Sequence, residues 1–124
     1  MKNQLGKARE LVLRYRELVH AKNLDGIMDA LSDDATMQLP GFPLMKDKKD
    51  IRRFYEDSFV AGSFEFQIDI NSEKIVSDVI FMNGKMRRII LVDGEPGITD
   101  ELDFSFILKK DSAGKLKIWQ IRVV

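Results

Sequence analysis

Tyr15 and Tyr55 are the only two tyrosines in the chain, and their spacing gives both the same direction. Tyr15 lies on a stripe with Leu5, Ala8, Val12 and Val19, and Tyr55 on a second stripe with Ile51, Phe54, Ser58 and Phe59. Steps of three and four residues put each set on one helical face, so both phenols turn inward. A buried phenol needs a partner for its hydroxyl. The ordinary outcome is a core tyrosine with one hydrogen bond. The chemical outcome is a donor aimed at an oxygen of a bound molecule. Other chemistry is sparse. The chain has no cysteine and one histidine, His20, which removes disulfides, thiol nucleophiles, thiolate metal sites and imidazole clusters together. No metal site and no cofactor are expected. His20 ends the first stripe, where an imidazole suits the helix dipole, and is read as a surface residue. Asp33-Asp34 has the look of an acid pair, but a helix stop leading into a strand accounts for it.

The elements that carry these residues follow from periodicity. A first helix is predicted from Asn3 to His20, and a second, capped by Asn23, with Leu24, Ile27, Met28 and Leu31 on one face. Ala35 to Leu39 reads as a brief strand, closed by Pro40-Gly41-Phe42-Pro43. Asp47 caps a third helix that ends near Ala61-Gly62. Beyond it the period changes to two: Phe64, Phe66, Ile68 and Ile70 alternate with Glu65, Gln67, Asp69 and Asn71. Further strands are expected over Lys74 to Val92, Ile98 to Lys110 and Lys115 to Val123, with Asn83-Gly84 either a hairpin turn or a bulge inside one long strand. Trp119, Ile121 and Val123 alternate on the last strand as core or dimer surface. Helices first and strands last, without βαβ alternation, predict an α+β fold. Its helices pack on one face of a strongly curved, mostly antiparallel sheet around a pocket.

With 124 residues, 44% hydrophobic and 32% charged, the chain reads as a single domain over residues 1–124 with one core. Twenty basic residues balance twenty acidic ones, so no footprint for a phosphate backbone exists and no nucleic-acid partner is expected. No apolar run approaches the ~18 residues of a membrane span, and the cytoplasm is the expected address. Near-zero net charge gives little repulsion between copies, so a homodimer is expected.

Several local motifs resemble the ketosteroid isomerases of the nuclear transport factor 2-like superfamily. They are Arg14-Tyr15, Leu24-Asp25-Gly26-Ile27, Asp33-Asp34-Ala35-Thr36, Pro40, Ile51-Arg52 and Phe54-Tyr55. Spacing from Tyr15 to Pro40 is ungapped, and the matching region covers about a third of the chain. The resemblance implies a cystatin-like, cone-shaped cavity under the sheet. That cavity serves isomerases, polyketide cyclases, dehydratases and epoxide hydrolases alike, and in other members only binding or assembly.

Carried across, the oxyanion-holding tyrosine falls on Tyr15 and the tyrosine supporting it on Tyr55. The second donor, a protonated acid, falls on Asp103 if the spacing is ungapped from Asp93-Gly94. Strand parity instead places Asp100 on the apolar face of Leu102, Phe104, Phe106 and Leu108. The general base falls on Leu39, so this sequence departs from the isomerases there. Gln38 cannot replace it, because an amide takes no proton at neutral pH. Asp69, Asp33 and Asp34 are the remaining carboxylates to consider. The implied function is binding of a small apolar carbonyl or phenolic ligand, with isomerase, lyase or cyclase chemistry only if a base is found. The contrasting reading is a non-catalytic assembly module whose cavity is filled by its own side chains.

Overall fold

A computed structural model describes residues 2–92 and 95–124. The elements are α1 (Lys2–His20), α2 (Leu24–Ala30), β1 (Leu31–Gln38), α3 (Lys48–Ala61), β2 (Ser63–Val76), β3 (Val79–Val92), β4 (Glu95–Lys110) and β5 (Leu116–Val123). The caps are those the sequence predicts. Asn23 accepts from the Gly26 amide at 2.9 Å and Asp47 from the Asp50 amide at 2.9 Å, each satisfying an orphan donor of a first turn. Among the described residues no helix is long and apolar enough to cross a membrane.

The strands form an open, five-stranded sheet in the order β1-β5-β4-β3-β2. β2 to β5 pair antiparallel with their sequence neighbours, while β1 adds to β5 in parallel. The architecture is therefore α+β with a mixed, mostly antiparallel sheet. Helices α1 and α3 bury Val12, Tyr15, Ile51 and Tyr55 against the inner sheet face, where Phe66, Met82, Phe104, Phe106, Leu108, Ile118 and Ile121 are also buried. The alternation of apolar and polar residues along each strand puts the core on that one face.

Four local readings need correction. The second helix stops at Ala30, and β1 starts at once with the buried Leu31, well before Ala35. Asp33-Asp34 is thus no helix stop. It lies in a bulge where the register jumps from Leu31↔Ile118 to Thr36↔Gln120, which frees Asp34 to reach Lys109 at 2.7 Å. The β2–β3 hairpin turns at Ser77-Asp78, with Ser77 in the left-handed region at φ 55°, and Lys74 to Val76 belong to β2. Of the two readings left open for Asn83-Gly84, the structure takes the one inside a long strand: the pair runs within β3, opposite a bulge in β2 between Ile70 and Ser72. Gly84 is there because the strands crowd it: a Cβ would overlap the Asp69 carbonyl oxygen and come within 2.9 Å of the Phe104 ring. On β5, an irregularity against Ile107 and Leu108 lets both Ile118 and Ile121 point inward. That turns Trp119 outward, where the Lys109 ammonium sits 4.2 Å from its ring centre.

Candidate functional site

Between the helices and the inner sheet face lies a cavity of about 480 Å³, within the ~300–1,000 Å³ range of small-molecule sites. Its lining is mainly apolar, with Met37, Leu39, Phe54, Phe66, Met86, Leu102, Phe106 and Ile121 contributing. Four polar side chains join them: Tyr15, Tyr55, Ser58 and Arg88.

Helices α1 and α3 bring Tyr15 and Tyr55 together, and their hydroxyls share a direct hydrogen bond in which either can donate. The Tyr55 hydroxyl also lies 3.9 Å from the Met37 sulfur, a weak acceptor. The ring of Tyr15 packs edge-on against Phe106 at 5.9 Å, and that of Tyr55 lies between Phe54 and Phe59. Burial pushes both phenols up, Tyr15 well above the usual range with the adjoining Tyr55 adding to the shift. Both stay protonated donors at any physiological pH. When Tyr55 donates to Met37, Tyr15 can donate to Tyr55. When a bound acceptor receives a hydrogen bond from Tyr15, Tyr55 can turn its own hydroxyl to donate to Tyr15, so the pair supplies one donor to the cavity with no hydroxyl left unpaired.

Leu39 lines the cavity at the end of β1, where the isomerase resemblance places an aspartate. Its carbonyl accepts from the Phe42 amide at 3.2 Å, closing a turn through Gly41 at φ 81°. Phe42 stands at the rim, 46% exposed and edge-on to Phe54 at 5.2 Å. It does not plug the cavity, and the buried Met45 does not line it.

The two acid candidates separate. Asp103 is on the outer face, paired with Lys85 at 2.5 Å, because strand parity turns it away from Leu102 and Phe104. The register that pointed to it starts from Asp93-Gly94, which lies outside the described residues. Asp100 shares the inner parity but is not on the cavity lining. Its oxygens accept from Arg88 Nε at 3.2 Å and Nη2 at 2.7 Å, so both are turned to the guanidinium as acceptors and neither is aimed into the cavity as a donor. Asp69 is exposed and Asp33 fully so, while Asp34 is held by Lys109 and Ser32, and this holds its carboxyl below the usual range. None of these carboxylates lines the cavity. Among the described residues no group of three His, Asp or Glu side chains could hold a metal.

Two features escaped the sequence reading. Arg88 reaches the cavity because it shares inner parity with Met82, Gly84 and Met86, a parity hidden while the register of β3 was undecided. His20 is not simply a surface cation at a helix end. Its Nε2 accepts from the Phe66 amide at 3.0 Å while Arg16 Nε donates to the Phe66 carbonyl at 2.9 Å. An imidazole acting as acceptor is neutral, so α1 grips the β2 backbone from both sides of a cavity-lining residue.

No protein-family model matches the chain and no curated protein matches it. Solved structures do. A nuclear transport factor 2-like protein with a cystatin-like fold from Novosphingobium aromaticivorans is 15% identical, with 94% of this chain and 77% of that one covered and a TM-score of 0.78. A conserved protein from Planctomyces limnophilus, 14% identical, covers 100% and 98% at 0.84. The fold is therefore the nuclear transport factor 2-like, cystatin-like one. A ketosteroid isomerase-like protein from Erwinia carotovora atroseptica has it too, at 15% identity, 93% and 90% coverage and a TM-score of 0.74.

Proposed function

We propose that this protein binds a small apolar carbonyl or phenolic compound in the cavity, with Tyr15 as the donor to its oxygen and Tyr55 supporting Tyr15. The observation that carries this is the paired phenols set into an open, mainly apolar cavity of about 480 Å³. An apolar body with few convergent polar groups selects ligands of that shape, and the isomerase-like neighbour is consistent with it. The open cavity argues against the filled-cavity assembly module. Proton abstraction is a separate matter. General-base catalysis contributes roughly 10²–10⁴ in rate, and Leu39 stands where the base would be. Isomerase, lyase or cyclase turnover is accordingly expected to be weak or absent, and binding is the function proposed.

A thermal-shift screen of hydrophobic ketones and phenols against the wild type and Tyr15→Phe tests the reading. A ligand at a hundred times its Kd stabilises the fold by ~2.7 kcal/mol, a rise of roughly 10 °C for a domain of this size. The substitution removes the donor and is expected to weaken binding about tenfold or more. If no compound in the screen shifts the wild type, the reading fails.

In the same proposal the protein works in the cytoplasm as a homodimer, paired through the outer sheet face. There Phe81 faces Ile107 across the ladder and both are only partly covered. Light scattering at micromolar concentration should return twice the chain mass, and a monomer would remove the dimer from the proposal.

A further inference from the structure

Arg88 is the one formally charged side chain among the described residues lining the cavity. Its position follows from the ladder. Arg88 pairs with Asp100 in the β3–β4 register, and Met82 pairs with Phe106, the residue against which Tyr15 packs. Arg88 thus lies further along β3 than Met82, beside the lining residues Met86 and Leu91. The cavity is therefore polar at two places along its length, the phenol pair at one and a guanidinium at the other, with Met86, Leu102 and Phe66 among the apolar residues near Arg88 in the ladder.

Asp100 determines how that guanidinium is presented. It takes Nε and one edge of Nη2, and among the described residues Arg88 makes no other hydrogen bond. A guanidinium carries two parallel pairs of donors, the Nε–Nη2 edge and the Nη1–Nη2 edge. The first is occupied by Asp100 and the second is not. The side chains of Arg88 and Asp100 are only 25% and 33% exposed, and Arg88 lines the cavity, so Asp100 fixes the direction of the fork and leaves its other edge unpaired. A structural cross-strand pair would need no cavity-facing donors.

We propose that the occupant of this cavity carries a carboxylate, received by the free Nη1–Nη2 edge of Arg88, with Asp100 as a positioning residue that orients the guanidinium. The ligand class is an elongated, mainly apolar acid with a phenolic or carbonyl oxygen at the far end. This rests on the cavity-binding reading above and narrows it. Because Asp100 already balances the Arg88 charge, the gain comes from two directed, charge-assisted hydrogen bonds more than from net attraction.

The probes are ω-(4-hydroxyphenyl)alkanoic acids of increasing chain length, each paired with its primary amide, measured by calorimetry on the full chain. At the length that spans the two polar positions, the acid is expected to bind about tenfold or more tighter than its amide. Arg88→Gln should bring that ratio to about one, and Arg88→Lys, which keeps charge but loses the fork, to an intermediate value. Tyr15→Phe should weaken acid and amide alike and leave their ratio unchanged. Equal binding of acid and amide by the wild type overturns the carboxylate subsite while sparing the cavity reading, and it needs no variant to fold. A preference that persists in Arg88→Gln overturns it as well. Failure of every acid and every amide to bind overturns both.

Discussion

Gly84→Ala should destabilise the fold by about 3 kcal/mol and lower its Tm by roughly 10 °C. Overpacking a core ordinarily costs about 1–3 kcal/mol because a side chain can move aside. Here the added methyl would overlap the Asp69 backbone oxygen on one side and meet the Phe104 ring at 2.9 Å on the other. Relief requires β2 to move away from β3 across the bulge at Ile70 and Ser72, and β2 is tied to α1 through the Phe66 backbone by Arg16 and His20. Gly6→Ala is the matched control. Gly6 lies exposed in α1 with nothing within 4 Å of the added Cβ, and alanine there should gain up to ~1 kcal/mol of helix stability. Thermal denaturation of both variants checks the pair. A Gly84→Ala protein with the wild-type midpoint would mean that β2 yields freely.

The second large effect is expected at alkaline pH. The only two tyrosines are both buried, and both are raised above their ordinary values by that burial. In the unfolded chain they titrate near pH ~10. The folded state thus holds protons that the unfolded state has lost, and stability falls with rising pH wherever that is so. Their stabilisation is complete below the unfolded value and disappears as pH rises above it, with a limiting slope of ~2.7 kcal/mol per pH unit for two protons. Phenolate absorbance should consequently be absent at a pH where free tyrosine is half ionised. It should then appear in one cooperative step together with the loss of tertiary structure. Gradual ionisation with the fold intact would show that the Tyr15–Tyr55 pair is open to hydroxide.

Much of the fold was legible because its signals are local. The stripes through Tyr15 and Tyr55, the caps at Asn23 and Asp47, and the alternation from Phe66 to Ile70 each report on one element and need no knowledge of the others. The misreadings, and the one point left open, share the opposite character. Local rules allow Asn83-Gly84 to be a turn or part of a strand, because its glycine answers to Asp69 and Phe104 on neighbouring strands. Asp33-Asp34 looks like a stop because the sequence does not display a bulge that only pairing with β5 creates. Trp119 follows the alternation of Ile121 and Val123 until a shift against β4 reverses its face. At the candidate site, Tyr15 and Tyr55 could be placed as inward phenols, and strand parity separated Asp100 from Asp103. The partnership of Asp100 with Arg88 could not be read, since it depends on a cross-strand register set far along the chain.

The parallel pairing of β1 with β5 has a bearing on how the molecule assembles. Every other ladder joins strands adjacent in sequence, whereas Leu31 meets Ile118 only across most of the chain. Closing so long a loop carries an entropic cost that later contacts must recover, and topologies rich in such contacts fold slowly. The meander from β2 to β5 can form by successive hairpins without β1. On this topology the tyrosine-bearing helices and the sheet wall come from opposite halves of the sequence, and the cavity exists only once the two have met.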